Sequence, residues 1–225
     1  MCGRFTLNVT SNDMTDYLRN NYHIEEWEHI RLPRYNVAPG QNILTIIHDG
    51  SKFRAGPLKW GFIPFFSKSE ETAYKMINAK SETVAEKPSF KSSLQNKRCI
   101  ILADSFYEWQ KNDSGKVPMR IRLKGDGIFS LAGLWSTFTR NDGSKLHTCT
   151  IITTSANQLV KPIHDRMPVI LTKDAQKIWL NPNIKDSSLL TSILNQYDSQ
   201  LMTHYPVSSY VNSVKNDDIS CIKSI

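Results

Sequence analysis

The sequence predicts an α+β fold in which curled antiparallel sheets form an open, barrel-like core with flanking helices. From residue 98 to residue 154, short apolar runs alternate with turns that contain Asp and Gly, which is typical of antiparallel hairpins. Before and after this region, shorter stretches have apolar residues at helical spacing. No break in composition marks a linker, so we expect a single domain over residues 1–225.

The first part of the chain predicts few regular elements. Ser11, Asn12 and Asp13 offer an N-cap for a helix over residues 14–22, whose apolar residues fall near helical spacing. The other elements predicted before residue 98 are a strand over residues 41–48 with a turn at 49–50, short helical pieces and loop over 70–86, and a helix over 88–95 that begins at a proline.

The second part carries the strongest β signal. Residues 117–123 place an apolar side chain at every second position, as expected of a strand with one buried face. Cys99 and Cys149 lie in apolar runs, where a reduced cysteine packs as a small hydrophobic residue. Strands are predicted over residues 98–105, 107–111, 117–123, 128–135 and 146–154, turns at 113–115, 125–127 and 141–143, and helices over 172–180 and 187–196.

Charge and cysteine usage restrict the class of protein. The chain has 28 Lys and Arg residues against 21 Asp and Glu residues, and the net charge of +7 favours a polyanionic partner such as nucleic acid. The four cysteines form no Cys-x-x-Cys pair, which disfavours a zinc ribbon or a thioredoxin-like motif. We expect no metal and no organic cofactor.

The sequence predicts neither a signal peptide nor a membrane span, and we expect a monomer in the reducing cytoplasm.

The most reactive position is Cys2. Removal of Met1 would leave a residue with both a free α-amine and a thiol, whose ordinary pKa values are about 7.7–8.0 and about 8.5. An aldehyde can form an imine with the amine, and the thiol can then close on the imine carbon to give a five-membered thiazolidine. No internal cysteine offers this reaction, so the N-terminus predicts chemistry with an aldehyde.

Five further segments place titratable or amide side chains beside glycine, proline or aromatic residues, which is typical of a pocket on a rigid scaffold. They are residues 34–40, 60–64, 77–83, 103–109 and 163–171. Together with the N-terminus they resemble the SRAP family, named for SOS-response-associated peptidases, whose members process abasic sites. The resemblance is to bacterial and phage members, covers essentially the whole chain, and rests on six motifs in family order: MCGR, RYNVAPG, WGFIP, INAKSET, ADSFYEW and HDRMPVIL.

The resemblance implies an enzyme of DNA damage repair. Cys2 would attack the ring-opened aldehyde of an abasic deoxyribose in single-stranded DNA and form a stable thiazolidine crosslink that shields the lesion. It further implies that Asn78 holds the sugar, that Glu108 transfers protons at the amine and the sugar, and that His164 promotes ring opening.

Independent chemical arguments support these three roles. The ordinary pKa of histidine lies nearest neutrality, so His164 suits general acid–base work. Glu108 stands between two aromatic residues after an apolar run, so we expect partial burial to raise its pKa and to suit it to a shared acid–base role. Asn78 offers a donor and an acceptor without adding a charge that would repel phosphate.

Five residues are predicted to contact the DNA strand. The resemblance implies that Arg4 and Arg166 hold flanking phosphates. Lys80 stands where many relatives have arginine, so it keeps the charge but loses the bidentate fork. Asn36 is equally consistent with a ligand contact and with a turn, and Trp60 with stacking on a base and with core packing. Stacking on a base and core packing are also both open for the neighbouring aromatic residues Phe62, Phe65 and Phe66.

Two other functions remain open. A thiol peptidase could combine Cys2 with His164 and a carboxylate, and self-removal of Met1 would be one such activity. An N-terminal-nucleophile amidotransferase is disfavoured, because the chain contains no Asn-Gly dipeptide for its oxyanion hole. A non-catalytic single-stranded DNA binder would have the same charge and aromatic residues but no use for Cys2. An accessory lyase activity would follow from the imine, which acidifies the C2′ protons and permits β-elimination.

Overall fold

The computed structural model describes residues 2–113, 115–125 and 127–225. Met1, Ser114 and Asp126 lie outside the described residues, and Ser114 and Asp126 are the middle positions of the turns predicted at 113–115 and 125–127. The described part combines α-helices with two mostly antiparallel sheets, one of which closes on itself. The predicted α+β class with a barrel-like core and flanking helices is confirmed.

In the described part of the chain, strands β6 to β12 follow one another between residues 98 and 171, and the α-helices lie before and after this region. The strands are β1 (Phe5–Leu7), β2 (Arg34–Val37), β3 (Asn42–His48), β4 (Phe53–Trp60), β5 (Asn78–Lys80), β6 (Arg98–Ala103), β7 (Ser105–Asn112), β8 (Gly115–Leu123), β9 (Phe129–Thr139), β10 (Lys145–Ser155), β11 (Arg166–Pro168), β12 (Ile170–Leu171) and β13 (Met202–Pro206). The α-helices are α1 (Ser11–Tyr22), α2 (Pro88–Asn96), α3 (Lys173–Leu180) and α4 (Ser187–Ser192). Short 3₁₀ helices cover Glu70–Lys75, Ser81–Thr83, Ser199–Leu201, Ser209–Asn212 and Ile219–Ile222.

The strands form two sheets. The first has the order β13-β8-β7-β1-β2, with antiparallel neighbours throughout. In the second, β10, β4, β3, β6 and β9 form a ring, because β9 and β10 pair with each other as well as with their other neighbours. Strands β4 and β10 run parallel, and the other four pairings of the ring are antiparallel.

Strand β10 organises the second sheet beyond the ring. It is 11 residues long and pairs with β9 and β4 over its first part. Its second part pairs in parallel with β5 through Ile151–Thr153, and antiparallel with β11 through Thr153–Ser155. The short strands β5 and β11 therefore lie at the same end of β10.

The strands bury different side chains on their two faces, as the alternation along a strand requires. One face of the ring packs against the helices through a cluster that includes Leu44, Ile100 and Leu134 with Leu18, Leu94 and Trp179. The opposite face forms a second cluster that includes Trp60, Cys99, Ile101 and Cys149 with Phe5 and Phe106 of the first sheet. The prediction that Cys99 and Cys149 are buried strand residues is confirmed.

Several predicted boundaries need correction. Helix α1 begins earlier than residue 14, because the hydroxyl of Thr10 accepts a hydrogen bond from the backbone N–H of Asp13 at 3.1 Å and caps it. Helix α4 ends at Ser192, so the helix predicted over residues 187–196 is too long. Strand β5 lies within residues 70–86, and β2 lies within the predicted polar loop over residues 34–40.

A test of the ring packing uses Gly133. A β-carbon there would collide with the Ile101 side chain, lie 2.9 Å from Cys99 Sγ and lie 3.0 Å from the backbone oxygen of Thr150. We expect Gly133→Ala to lower the free energy of unfolding by about 1–3 kcal/mol through overpacking, measured by urea denaturation. Gly125→Ala is the matched control, because nothing lies within 4 Å of its added carbon. Equal effects of the two substitutions would contradict this account.

Candidate active site

Cys2 lies where strand β1 enters the first sheet. Strand β1 runs antiparallel to β7, with Phe5 opposite Phe106. Continuing this register back along the chain places Gly3 opposite Glu108, and Cys2 directly beside it. The Cys2 side chain is 0% exposed and belongs to the cluster between the two sheets. The fold therefore brings residue 2 and Glu108 together, although they are far apart in sequence.

Asn78 reaches Cys2 from the other sheet. It is the first residue of β5, and its Nδ2 donates a hydrogen bond to the backbone oxygen of Cys2 at 2.9 Å. Its Oδ1 is buried and accepts no hydrogen bond from the residues that the structure describes. The Nδ2 of Asn78 thus holds the backbone at residue 2, and its Oδ1 is available to accept a hydrogen bond from a ligand.

Glu108 and Cys2 influence each other's protonation. Burial raises the pKa of Glu108, and the nearby charge of His164 partly offsets this effect. Burial also raises the pKa of the Cys2 thiol, and the charge of Glu108 raises it further. Both groups therefore favour their neutral forms more strongly than they would in water, and these mutual effects place Cys2, Glu108 and His164 in one site.

His164 has two partners at the same ring nitrogen. The backbone N–H of Arg166 donates to His164 Nδ1 at 2.9 Å, and Asp165 Oδ1 lies 2.8 Å from the same atom. The N–H requires a lone pair on Nδ1, whereas the carboxylate requires a proton there. The neutral ring satisfies the first contact and the imidazolium the second, since the Asp165 side chain is 86% exposed and can turn away. In both arrangements Nε2 carries a proton.

Arg166 is engaged within the protein. Its guanidinium makes a bidentate pair with Glu82, at 2.6 Å and 2.8 Å, and donates to the backbone oxygen of Thr153 at 2.7 Å. Only 13% of the Arg166 side chain is exposed. The predicted phosphate contact of Arg166 stays a prediction. Lys80, at the end of β5, is exposed.

Arg4 and Asn36 hold the C-terminal segment. Arg4 donates to Asn36 Oδ1 at 2.6 Å and to the backbone oxygens of Val211, at 2.7 Å, and Asn212, at 3.1 Å. Asn36 Nδ2 donates to three backbone oxygens of the same segment, those of Val211, Ser213 and Asn216. Asn36 is buried, and its amide is fully occupied by these contacts, so the structure contradicts a DNA contact by Asn36. The phosphate contact of Arg4 stays a prediction.

The four aromatic residues for which stacking on a base was considered differ in their exposure. Trp60 is 0% exposed, and its Nε1 donates to the backbone oxygen of Ile77 at 2.9 Å, so the structure contradicts stacking of Trp60 on a base. Phe62 is buried as well. Phe65 and Phe66 are 64% and 52% exposed, and their rings meet edge to face at 5.3 Å between centroids. Of these four aromatic residues, Phe65 and Phe66 are therefore the ones exposed at the surface.

Across residues 2–113, 115–125 and 127–225, no group of three or more His, Cys, Asp or Glu side chains is arranged to hold a metal ion. None of the helices in the described part of the chain combines the length and the apolar character that crossing a membrane requires. The chemistry available in the site is therefore that of a buried thiol, a carboxyl group of raised pKa, an imidazole and an amide.

The chain belongs to the SRAP family, because the family model described as "SOS response associated peptidase (SRAP)" matches residues 1–214. The resemblance in the sequence motifs is thereby confirmed. The chain is 52% identical over 225 residues to "Abasic site processing protein YoqW" of Bacillus subtilis (strain 168), with 100% of both chains covered. It is 32% identical over 230 residues to "Abasic site processing protein YedK" of Escherichia coli (strain K12), again with 100% of both covered.

A solved structure has the same fold. A protein from Bacteroides thetaiotaomicron superposes with a TM-score of 0.87 at 26% sequence identity, and the match covers 100% of both chains. A phage-related protein from Bordetella bronchiseptica superposes with a TM-score of 0.72 at 27% identity, covering 92% of this chain and 95% of that one.

Two contributors to the site were missed from the sequence. Glu82 pairs with Arg166, and its place in the INAKSET motif was a usable signal. Asp217 accepts hydrogen bonds from the backbone N–H groups of Tyr35 and Asn36 and pairs with Arg34. No local pattern at Asp217 indicated this role, because its partners lie far away in the sequence.

The raised pKa of Glu108 has a consequence for stability. A carboxyl whose pKa is higher in the folded than in the unfolded state costs folding free energy when it ionises. The cost is absent below the ordinary glutamate pKa of about 4.3 and grows as pH rises towards the raised value. We expect Glu108→Gln to melt at a higher temperature than the wild type near pH 8 and at a similar temperature near pH 4.

Thermal unfolding at pH values from about 4 to about 8 measures this difference. Glu86→Gln is the control, because Glu86 is exposed and its neutralisation should give no comparable pH-dependent gain. A stabilisation by Glu108→Gln that shrinks as pH rises would contradict the raised pKa.

Proposed function

We propose that this protein, after removal of Met1, crosslinks itself through Cys2 to abasic sites in single-stranded DNA and thereby shields the lesion from strand cleavage. The observation that carries the proposal is the setting of Cys2, whose backbone Asn78 holds and whose thiol senses the charge of Glu108. The names of the relatives, which describe abasic site processing, support the choice of substrate. All groups of the site come from one chain, which supports action as a monomer.

The first step opens the sugar. An abasic deoxyribose is mainly a closed hemiacetal, so a proton must leave the anomeric hydroxyl and another must reach the ring oxygen. The Glu108 carboxylate takes the first proton, and its raised pKa makes it a stronger base than an ordinary carboxylate. The His164 imidazolium, held by Asp165 at Nδ1, donates the second proton from Nε2. The product is the open aldehyde at C1′.

The second step joins the DNA to the amine. The neutral α-amine of Cys2 attacks C1′ and gives a carbinolamine. Glu108 returns its proton to the carbinolamine hydroxyl, which leaves as water, and the neutral His164 takes the remaining proton from the amine nitrogen, so that a neutral C=N bond forms between this nitrogen and C1′. The available Oδ1 of Asn78 accepts a hydrogen bond from a sugar hydroxyl or from the amine during this step.

The third step closes the thiazolidine. The thiol of Cys2 adds across the C=N bond, so that sulfur bonds to C1′ and the thiol proton ends on nitrogen. The raised pKa keeps the thiol protonated until this step, which favours attack by the amine first. The sequence as a whole releases one water and needs no oxidant, reductant or metal. An accessory lyase reaction would branch from the imine before sulfur adds.

The same raised pKa argues against a general thiol peptidase. Such enzymes need a thiolate, which a lowered cysteine pKa supplies, whereas burial and Glu108 both raise the pKa of Cys2. Self-removal of Met1 remains part of the proposal as a separate reaction, because it cleaves the protein's own Met1–Cys2 peptide bond and not another protein. A simple single-stranded DNA binder would not need the buried constellation of Cys2, Asn78 and Glu108.

Exposed aromatic and basic residues support a single strand as the substrate. Phe65 and Phe66 are exposed, and unpaired bases can stack on such rings. Lys80 is exposed next to Asn78 along β5 and can contact a phosphate. The net charge of +7 supports a salt-dependent affinity for DNA.

The decisive prediction concerns Cys2. Purified protein should form a band that survives a denaturing gel with single-stranded DNA that contains one uracil, only after treatment with uracil glycosylase. Cys2→Ala should give no such band, because its amine can form only the reversible imine. Added borohydride should then trap the imine of Cys2→Ala, whereas the wild type should need no borohydride. Cys149→Ala, which removes a buried cysteine elsewhere, is the control and should crosslink.

Mass spectrometry of the crosslinked peptide should show residue 2 as the amino terminus. A stable band from Cys2→Ala without borohydride, or a crosslinked wild type that retains Met1, would overturn the proposal. Binding without any covalent product in the wild type would favour the non-catalytic single-stranded DNA binder.

A further prediction concerns Phe65 and Phe66. Replacing both by Ala should weaken binding to single-stranded DNA about five- to 150-fold for each stacked base lost, from a stacking free energy of about 1–3 kcal/mol. The crosslinking rate at saturating DNA should change little, because neither ring belongs to the reacting groups. Leu201→Ala is the control, since Leu201 is also 52% exposed. Fluorescence anisotropy measures the affinity, and an unchanged affinity would refute stacking at these residues.

A further inference from the structure

The pair between Glu82 and Arg166 lies at the end of strand β10, beside the segments that carry Asn78 and His164. Glu82 lies in the 3₁₀ helix Ser81–Thr83, which directly follows β5, and Arg166 is the first residue of β11. Both strands pair with the end of β10, where Lys80 lies opposite Thr153 and Arg166 opposite Ser155. The bidentate contacts, at 2.6 Å and 2.8 Å, therefore connect two strands that reach β10 from distant parts of the sequence.

Each of these strands lies beside a side chain of the site: Asn78 is the first residue of β5, and His164 lies just before β11. Strand β5 begins with Asn78, whose Nδ2 holds the backbone oxygen of Cys2. Two residues before Arg166 lies His164, and the backbone N–H of Arg166 donates to its Nδ1 at 2.9 Å. Movement of Arg166 would therefore turn the imidazole, and movement of the Ser81–Thr83 helix would shift Asn78.

The geometry of the Glu82–Arg166 pair can hold the two segments at a fixed distance and orientation. A guanidinium bound by two parallel hydrogen bonds to one carboxylate has a fixed orientation, which a single ion pair would not give. A third contact, from Arg166 to the backbone oxygen of Thr153 at 2.7 Å, fixes the guanidinium against β10 itself. The hydrogen bond from Arg166 lowers the pKa of Glu82, so the carboxylate remains ionised throughout the neutral range.

We propose that Glu82 is a positioning residue for the crosslinking reaction: through Arg166 it fixes residues 164–166 and the spacing between His164 and Asn78. This inference rests on the proposed function of the same site. Glu82 touches neither the sugar nor the reacting atoms. It acts on the rate because a displacement of about 1 Å in a reacting group can lower a rate about 100-fold.

The test separates the rate from the affinity. Glu82→Gln should lower the single-turnover crosslinking rate at saturating DNA about ten- to 100-fold. Its affinity for single-stranded DNA with a tetrahydrofuran residue, an abasic analogue that cannot form an aldehyde, should stay equal or rise, because a negative charge near the polyanion is removed. Glu86→Gln removes an exposed carboxylate four residues further on, and should react at the wild-type rate.

A charge exchange provides the rescue. The double variant Glu82→Arg with Arg166→Glu restores an ion pair across β10 and keeps the backbone N–H at residue 166. We expect its rate to recover at least in part relative to the two single variants, while thermal melting confirms that all variants fold.

The outcomes distinguish the inference from the proposed function. A wild-type rate in Glu82→Gln, with normal crosslinking by the wild type, would overturn the inference alone. Rate and affinity that fall together, with no recovery in the double variant, would overturn it in favour of Arg166 as a phosphate contact. Failure of the wild type itself to crosslink would overturn the proposed function.

Discussion

The hydrogen bond from Asn78 Nδ2 to the backbone oxygen of Cys2 joins the two sheets at the site, and the arrangement of the other groups depends on it. Asn78 belongs to the second sheet through β10, whereas Cys2 enters the first sheet through β1 and so lies beside Glu108. Without this contact the two sheets would present separate halves of the site. Asn78 and His164 would stand on one side, and Cys2 and Glu108 on the other.

Burial then determines the chemistry. Cys2 and Glu108 are almost completely enclosed, and burial is the main reason that both pKa values are raised. In the proposed reaction, a carboxyl of raised pKa takes up a proton more readily than an ordinary carboxyl, and a thiol of raised pKa stays protonated until the amine has reacted. The same environment that suits a thiazolidine closure is unsuited to a thiolate nucleophile. The family's description as a peptidase therefore fits this site less well than the names of its relatives.

The sequence predicted most of the long elements but missed the eight-residue strand β4 and the shortest strands. The strands between residues 98 and 155 were predictable, because hairpins with Asp- and Gly-containing turns leave a local pattern. Strands β1 and β5 have only three residues each, too few for any periodicity, and tertiary pairing alone forms them. The chemical character of Glu108 was predictable from its apolar neighbours, and the direction of its pKa shift agrees with that prediction.

Two of the five predicted DNA contacts, those of Asn36 and Trp60, failed because tertiary contacts bury these side chains. The sequence leaves stacking and core packing open for Trp60, Phe65 and Phe66 alike, and only the fold shows that Trp60 is buried while Phe65 and Phe66 are at the surface. Asn36 has its partners about 175 to 180 residues away, in the C-terminal segment. No window of sequence around Asn36 contains that information.

The proposed reaction uses a nucleophile at the chain terminus, and these long-range contacts hold that terminus in place. Terminal residues are ordinarily mobile, and a mobile amine would lose the advantage of a positioned reactant. Strand β1 limits this mobility, because β2 pairs with one of its edges and β7 with the other. Arg4 adds a third support, since it binds Asn36 of β2 and two backbone oxygens of the C-terminal segment. Asp217 fixes that segment to β2 in turn. The two ends of the chain thus hold each other, and Cys2 is preorganised although it stands at the edge of the sequence.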